Sequence, residues 1–197
     1  LKRPAEALAS QRQALAEFEA LAAADPRNAA ASNDVAISQS KIAEMLDAAG
    51  DRRAAVLEYE RALAIHQSLA GSDPTNDSLQ LEVASDYNRL ATTQAKLGDR
   101  ASLANHDRAV TMTRALSAAN AQNIELQVAV ALALTGRGEA YVHFKEWATA
   151  ERDYAEAVEL LAKLQKDGAI QGTDVETLET ARKELATIRG RMNRSGG

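Results

Sequence analysis

Three histidines, one Gly-x-Gly and three carboxylate pairs are the groups in this chain whose chemistry could serve catalysis or ligand binding. His66, His106 and His143 would make a helical metal site if two of them stood four residues apart, and no two do. Gly136-Arg137-Gly138 has the look of a phosphate-cradling turn. It follows Leu132-Ala133-Leu134 inside a helical pattern, without the strand and turn that such a cradle requires. Glu17/Glu19, Glu58/Glu60 and Glu156/Glu159 could divide acid and base duties, but each falls on a polar helix face, where charge is solvated. Trp147, Tyr141 and Tyr154 could stack on a ligand; they read instead as core residues. No nucleophile, base and orienting group stand at a workable spacing. The chain therefore reads as a non-enzyme, with no catalytic, cofactor-binding or metal-binding residue and no cofactor.

Composition narrows the remaining classes. The 197 residues carry a formal charge of −5, with both signs scattered along every predicted helix. A nucleic-acid partner would want a basic stripe, and none is present. No apolar stretch approaches the roughly 20 residues needed to span a bilayer, so no membrane insertion is expected. The absence of cysteine removes disulfides and thiolate metal sites and leaves the redox compartment open, with the cytoplasm as the expected setting. The chain begins mid-pattern at Leu1-Lys2-Arg3-Pro4, which reads as a piece of something longer.

The elements that must position any site announce themselves by repetition. Asp25-Pro26-Arg27-Asn28 returns as Asp73-Pro74-Thr75-Asn76, and Gly50-Asp51-Arg52 returns as Gly98-Asp99-Arg100, both after 48 residues. A third copy follows at 47: Asn120-Ala121-Gln122-Asn123, then Lys145-Glu146-Trp147. Helix-stop chemistry at a fixed period is the mark of a helical repeat array. Between the stops, apolar residues recur at helical spacing, and Ala, Leu, Glu, Arg and Gln fill the interior. Helices are predicted over about 4–24, 29–49, 52–70, 77–97, 101–119, 122–144 and 147–166. Alternating Gly-type and Asp-Pro-type turns fold them into antiparallel hairpins. A last amphipathic helix opens at Thr173-Asp174-Val175-Glu176, which has capping-box spacing, and would cap the array. The expected organisation is one domain over 1–190: a lone second helix at 4–24, repeats at 28–72, 76–119 and 122–167, a capping helix at 173–190, and a flexible tail at 191–197.

Small residues fall where the two helices of each hairpin must approach closely: Ala43, Ala91 and Gly138 before the turn, then Ala55, Leu103 and Ala150, and Ala62, Ala109 and Ala157 after it. Ala7 and Ala14 hold the same places in the first helix. This resembles the tetratricopeptide repeat, and the third copy, with Gly138, Tyr141, Trp147, Ala150, Tyr154 and Ala157, is nearest its pattern. The resemblance implies an all-α, right-handed superhelical array of antiparallel hairpins, an α-solenoid with a capping helix. The period of 47–48 exceeds the family's usual 34 or so, so each helix should be longer, as in the extended arrays of kinesin light chains. Ala109 follows its turn by 11 residues where Ala62 and Ala157 follow theirs by 12, so the middle hairpin is one residue short and should pack less regularly, with a kink or shifted register over 101–119. The spelling Ala-Ala-Asp-Pro-x-Asn also resembles the C-terminal tails of large bacterial signalling proteins, Ser/Thr kinases among them, although no kinase motif is present.

In tetratricopeptide arrays the first helix of each pair lines a concave groove. Carried onto this chain, the resemblance places Ser40, Lys41, Glu44 and Asp47 there, with Asn88, Arg89, Thr92 and Lys96, and Thr135, Glu139 and His143. Glu44 and Glu139 stand where the chaperone-type clamp for a peptide carboxylate would have Asn, so that clamp is not expected. The implied function is a protein-interaction scaffold that takes a peptide or protein segment in the groove. The alternative is a self-associating or autoregulatory tail of a multidomain kinase or NTPase, contacting a second copy or its own missing N-terminal domain.

Overall fold

The computed structural model describes residues 2–195, and every regular element among them is a helix. In chain order they are α1 (Lys2–Ala24), α2 (Ala29–Ala48), α3 (Arg52–Ser72), α4 (Asp77–Lys96), α5 (Ser102–Ala119), α6 (Ile124–His143), α7 (Trp147–Lys166) and α8 (Thr173–Ser195). Each packs on its neighbour in sequence. In addition α4 packs on α6 and α6 touches α8, whereas among the odd-numbered helices α5 and α7 are joined at the surface by the Arg114–Glu156 ion pair. The even-numbered helices therefore form the inner layer of a curved stack and the odd-numbered ones the outer layer.

The repeated phrases do two jobs. The two Asp-Pro-x-Asn stops and the Asn-Ala-Gln-Asn stop each end one helix and start the next, because the last Asn is an N-cap: the side chains of Asn28, Asn76 and Asn123 accept from the backbone N–H groups of Ala31, Leu79 and Leu126. Each Gly-type stop closes its helix with a left-handed residue, after which the next N–H reaches back five residues to a carbonyl. Asp51 bonds to Leu46, Asp99 to Gln94, Glu146 to Tyr141 and Ala169 to Leu164 in this way. Gly50, Gly98 and Gly168 take the positive φ freely, while at the third stop Lys145 adopts φ 62°.

The middle hairpin absorbs its missing residue at the start of α5. Asp51 caps α3 by accepting from Ala54 N–H, but Asp99 accepts from Ala101 instead, and α5 has no side-chain cap. Three successive i→i+3 bonds, from Ser102, Leu103 and Ala104, wind the chain tightly into the helix. The irregularity is thus an overwound first turn. It leaves Ser102 Oγ buried without a partner and Leu103 half-buried.

Close approach is carried by the small residues. Ala43, Ala55, Ala62, Ala91, Ala109, Ala150 and Ala157 are fully shut off from solvent, and a Cβ on Gly138 would come within 2.9 Å of the Tyr154 ring. Ala7 is exposed and Ala14 half-buried, because α1 is covered on one side only, by α2. Leu8 and Leu15 from α1 join a core of Ile42, Leu46, Tyr59, Leu63, Val83 and Leu90. A second core runs through α5, α6 and α7 to Leu178 of α8.

Two details at the C-terminal end differ from expectation. Helix α8 continues through Arg191–Arg194, where a flexible tail had been expected, because Arg189 pairs with Glu151 and the Arg191 guanidinium lies 5.2 Å over the Trp147 ring. Residues 196 and 197 of that expected tail lie outside the described residues. The capping box does not form either: Thr173 is already helical, Glu176 N–H bonds to the Gly172 carbonyl, and the Glu176 side chain is left exposed.

Candidate functional site

The inner layer places the groove residues in three groups. Lys41, Glu44 and Arg89 line a cleft of about 200 Å³ between α2 and α4, together with Ile37, Ser40, His66 and Glu82. Asn88, Thr92, Thr135 and Glu139 line a larger one of about 510 Å³, with Leu132, Gly136 and Tyr154 and with Thr173, Glu176, Thr177, Thr180 and Ala181 of α8. Lys96, Thr92, Glu139 and His143 meet around a small recess of about 30 Å³ at the other end of α6. Asp47 lines none of these; it is held at the end of α2 by Lys96 at 2.9 Å and Arg52 at 3.3 Å.

Much of the expected groove chemistry is already committed inside the chain. Ser40 is buried and donates to Asp86 Oδ1 at 3.1 Å, so its hydroxyl is not open to a ligand. Arg89 sits 3.5 Å from Glu44 and 3.6 Å from Asp86. Lys96 is spent on Asp47. The hydroxyls of Thr92 and Thr135 donate to the carbonyls of Asn88 and Leu132. Lys41, Glu139 and His143 are exposed and have no ion-pair partner among the described residues.

Behind the inner surface lie polar clusters that the sequence reading did not single out. Asp86 accepts from His66 Nδ1 at 2.5 Å as well as from Ser40. A serine, a histidine and an aspartate meet here, but the serine bonds to the carboxylate and not to the imidazole, and all three side chains are buried. The imidazole is therefore not placed to take the Ser40 proton, as a nucleophile–base pair requires. In the next hairpin His106 Nδ1 donates to Asn88 Oδ1 at 3.0 Å. Burial, with the nearby Arg137 guanidinium, pushes the His106 pKa down to about 4. In the third, Arg137 grips both oxygens of Asp153 at 2.8 Å and reaches Asp107 at 2.8 Å. These hydrogen bonds and charges hold the guanidinium protonated against the cost of burial.

Gly136 and Gly138 have packing explanations of their own. A Cβ on Gly136 would run into the Asn88 amide, and one on Gly138 into Tyr154. Both glycines lie inside α6, and no phosphate cradle exists there. Tyr154 is buried as a core residue, while Tyr141 and Trp147 are half-buried beside it.

Sequential hairpins, an inner layer of alternate helices and a terminal helix that closes the stack decide the architecture. The fold is a helical-repeat solenoid. Solved structures similar in fold include BtubC (BKLC) from P. vanneervenii, with a TM-score of 0.62, 20% identity and coverage of 96% of this chain and 66% of that one. The chain therefore spans about two thirds of that protein's length. A de novo designed helical repeat protein, DHR64, aligns over 98% of this chain and 97% of its own with a TM-score of 0.38 and 14% identity. No protein-family model matches the chain. No curated protein matches it either.

What the sequence reading missed at the site is the contribution of α8. Thr173, Thr177 and Thr180 recur at spacings of four and three, which puts them on one helical face. That face was hidden by reading Thr173 and Glu176 as a cap, which would have turned both inward to the backbone.

Proposed function

We propose that the chain is a non-catalytic interaction scaffold of tetratricopeptide type, which takes a peptide or protein segment along its inner layer. One observation carries the reading: three alternate helices, α4, α6 and α8, together wall an open cleft of about 510 Å³, of the size that specific sites use. A solenoid presents such a surface preformed, so binding does not have to order it first. The bonding of Ser40 to Asp86 rather than to His66 supports the non-catalytic part.

Pull-downs or peptide arrays with the joint Asn88→Ala, Arg89→Ala and Lys96→Ala variant test the assignment. The variant should lose partners that the wild type retains while keeping its helical circular-dichroism signal. Unchanged capture would remove the inner layer as the binding face.

A second reading, self-association, is favoured by the one-sided burial of α1. Leu21 is 57% exposed and Leu57 on α3 is 55% exposed, an apolar cost that a second copy would relieve. A monomeric mass by analytical ultracentrifugation at all accessible concentrations would dismiss it.

A further inference from the structure

The cleft between α4, α6 and α8 is chemically one-sided. Five threonines line it, and all but Thr173 spend their only proton on their own helix: Thr92 on the Asn88 carbonyl at 2.9 Å, Thr135 on Leu132 at 3.0 Å, Thr177 on Thr173 at 2.9 Å and Thr180 on Glu176 at 2.9 Å. Only lone pairs remain on those hydroxyls. Glu139 of α6 and Glu176 of α8 supply carboxylates from different walls, and neither side chain has a hydrogen bond or an ion pair among the described residues. No Lys or Arg is among the residues that line it, and Arg89, Lys96 and Arg137 of the inner layer are engaged with Glu44, Asp47 and Asp153. The lining thus asks for positive charge.

A second feature points to an occupant. Tyr154 is 6% exposed, lines the same cleft, and has no hydrogen-bond partner for its hydroxyl among the described residues. Burial and the nearby Glu139 push its pKa up, so the phenol keeps its proton and can donate. Its fellow free donors are the Asn88 amide, whose oxygen is held by His106, and the Thr173 hydroxyl. Donors of this kind suit carbonyl oxygens. Leu132, 43% exposed, adds an apolar ledge.

We propose that this cleft receives a polypeptide segment bearing Lys or Arg, with the cationic head taken by Glu139 and Glu176, the methylene stem on Leu132, and backbone carbonyls met by Tyr154 and Asn88. Acceptors for a cation together with donors for carbonyls match a basic peptide better than an acidic or purely apolar one. The proposal rests on the reading of the inner layer as a binding face, and it adds the location and the charge of the guest.

The test is selection of a random decapeptide library by the whole chain, with three versions of the protein: wild type, Glu139→Gln/Glu176→Gln, and Glu19→Gln/Glu60→Gln as a charge-matched change on exposed helix faces elsewhere. The wild type and the matched control should enrich Lys- and Arg-containing peptides. An enriched peptide should bind the cleft variant at least about tenfold more weakly and the control within about twofold, and Tyr154→Phe should weaken it severalfold. Equal loss in cleft variant and control would reduce the attraction to net charge and overturn the proposal. Enrichment of acidic or apolar peptides whose amide-shift footprint lies on α2 and α4 would overturn it while sparing the inner-layer reading. Failure of the wild type to enrich any peptide would overturn both.

Discussion

Asp86 Oδ2 stands 2.5 Å from His66 Nδ1, and both side chains are closed to solvent. His66 belongs to α3 and Asp86 to α4, so the contact ties the second helix of one hairpin to the first helix of the next. The other carboxylate oxygen accepts from Ser40 of α2. Three helices of two successive repeats therefore share one acceptor, at a place where a solenoid has only neighbour contacts to hold it.

Removing that acceptor leaves buried donors unpaired. Asp86→Ala is expected to lower the unfolding free energy by about 3 kcal/mol, and Asp86→Asn, which keeps one carbonyl oxygen, by less. Urea unfolding followed by circular dichroism measures both. A loss under about 1 kcal/mol for the alanine variant would mean that water replaces the carboxylate.

Lys145 offers the opposite sign. It holds φ 62° at a helix stop where the first two repeats have Gly50 and Gly98. A side chain in that region costs about 1 kcal/mol, which exceeds the extra unfolded-state entropy that glycine brings. Lys145→Gly should raise stability by a few tenths to about 1 kcal/mol, and Gly50→Ala should lower it by about 1 kcal/mol. Thermal and urea unfolding of the two variants will show opposite shifts if the backbone angle governs.

The same comparison explains how much of the molecule the sequence disclosed. The stops at Asp25-Pro26, Gly50, Asp73-Pro74 and Gly98 were legible because Pro and Gly act locally, through φ and a missing donor. The small positions were legible too, since Ala43 or Ala157 must be small wherever two helices touch. Asp86, His66 and Arg137 were not, because a buried polar residue on an apolar stripe is rational only once its partner on another helix is known. The helical Arg191 turn was hidden for the same reason: Trp147, its partner, lies 44 residues earlier. Among the groove residues, Asn88, Thr92, Thr135 and Glu139 come together, whereas Ser40 turns into the stack, a difference set by Asp86.

Glycines inside helices separate packing from propensity. Gly190 in α8 has open space where a Cβ would go, so Gly190→Ala should stabilise by about 0.5–1 kcal/mol. Gly138→Ala gains the same helical preference but drives its Cβ to 2.9 Å from the rigid, buried Tyr154 ring. Overpacking costs about 1–3 kcal/mol, so the net effect is a loss. Stabilisation by Gly138→Ala, read from urea midpoints, would show that the seam between α6 and α7 yields without strain.

His106 makes stability depend on pH with a definite sign. Its Nδ1 donates to Asn88, its Nε2 is buried without a partner, and burial with Arg137 holds the pKa at about 4. An unfolded histidine takes up its proton near 6.5 or so. Between these values the unfolded chain binds a proton that the native one refuses, so stability falls as pH drops through that window and levels off below about 4. The contribution reaches about 2 kcal/mol at pH 5 and about 3 kcal/mol at its limit. His106→Gln keeps a donor for Asn88 and cannot titrate. The difference in unfolding free energy between wild type and this variant should therefore shrink or reverse from pH 7.5 to pH 5, and parallel pH profiles would show that the imidazole gains its proton as readily in the fold as outside it.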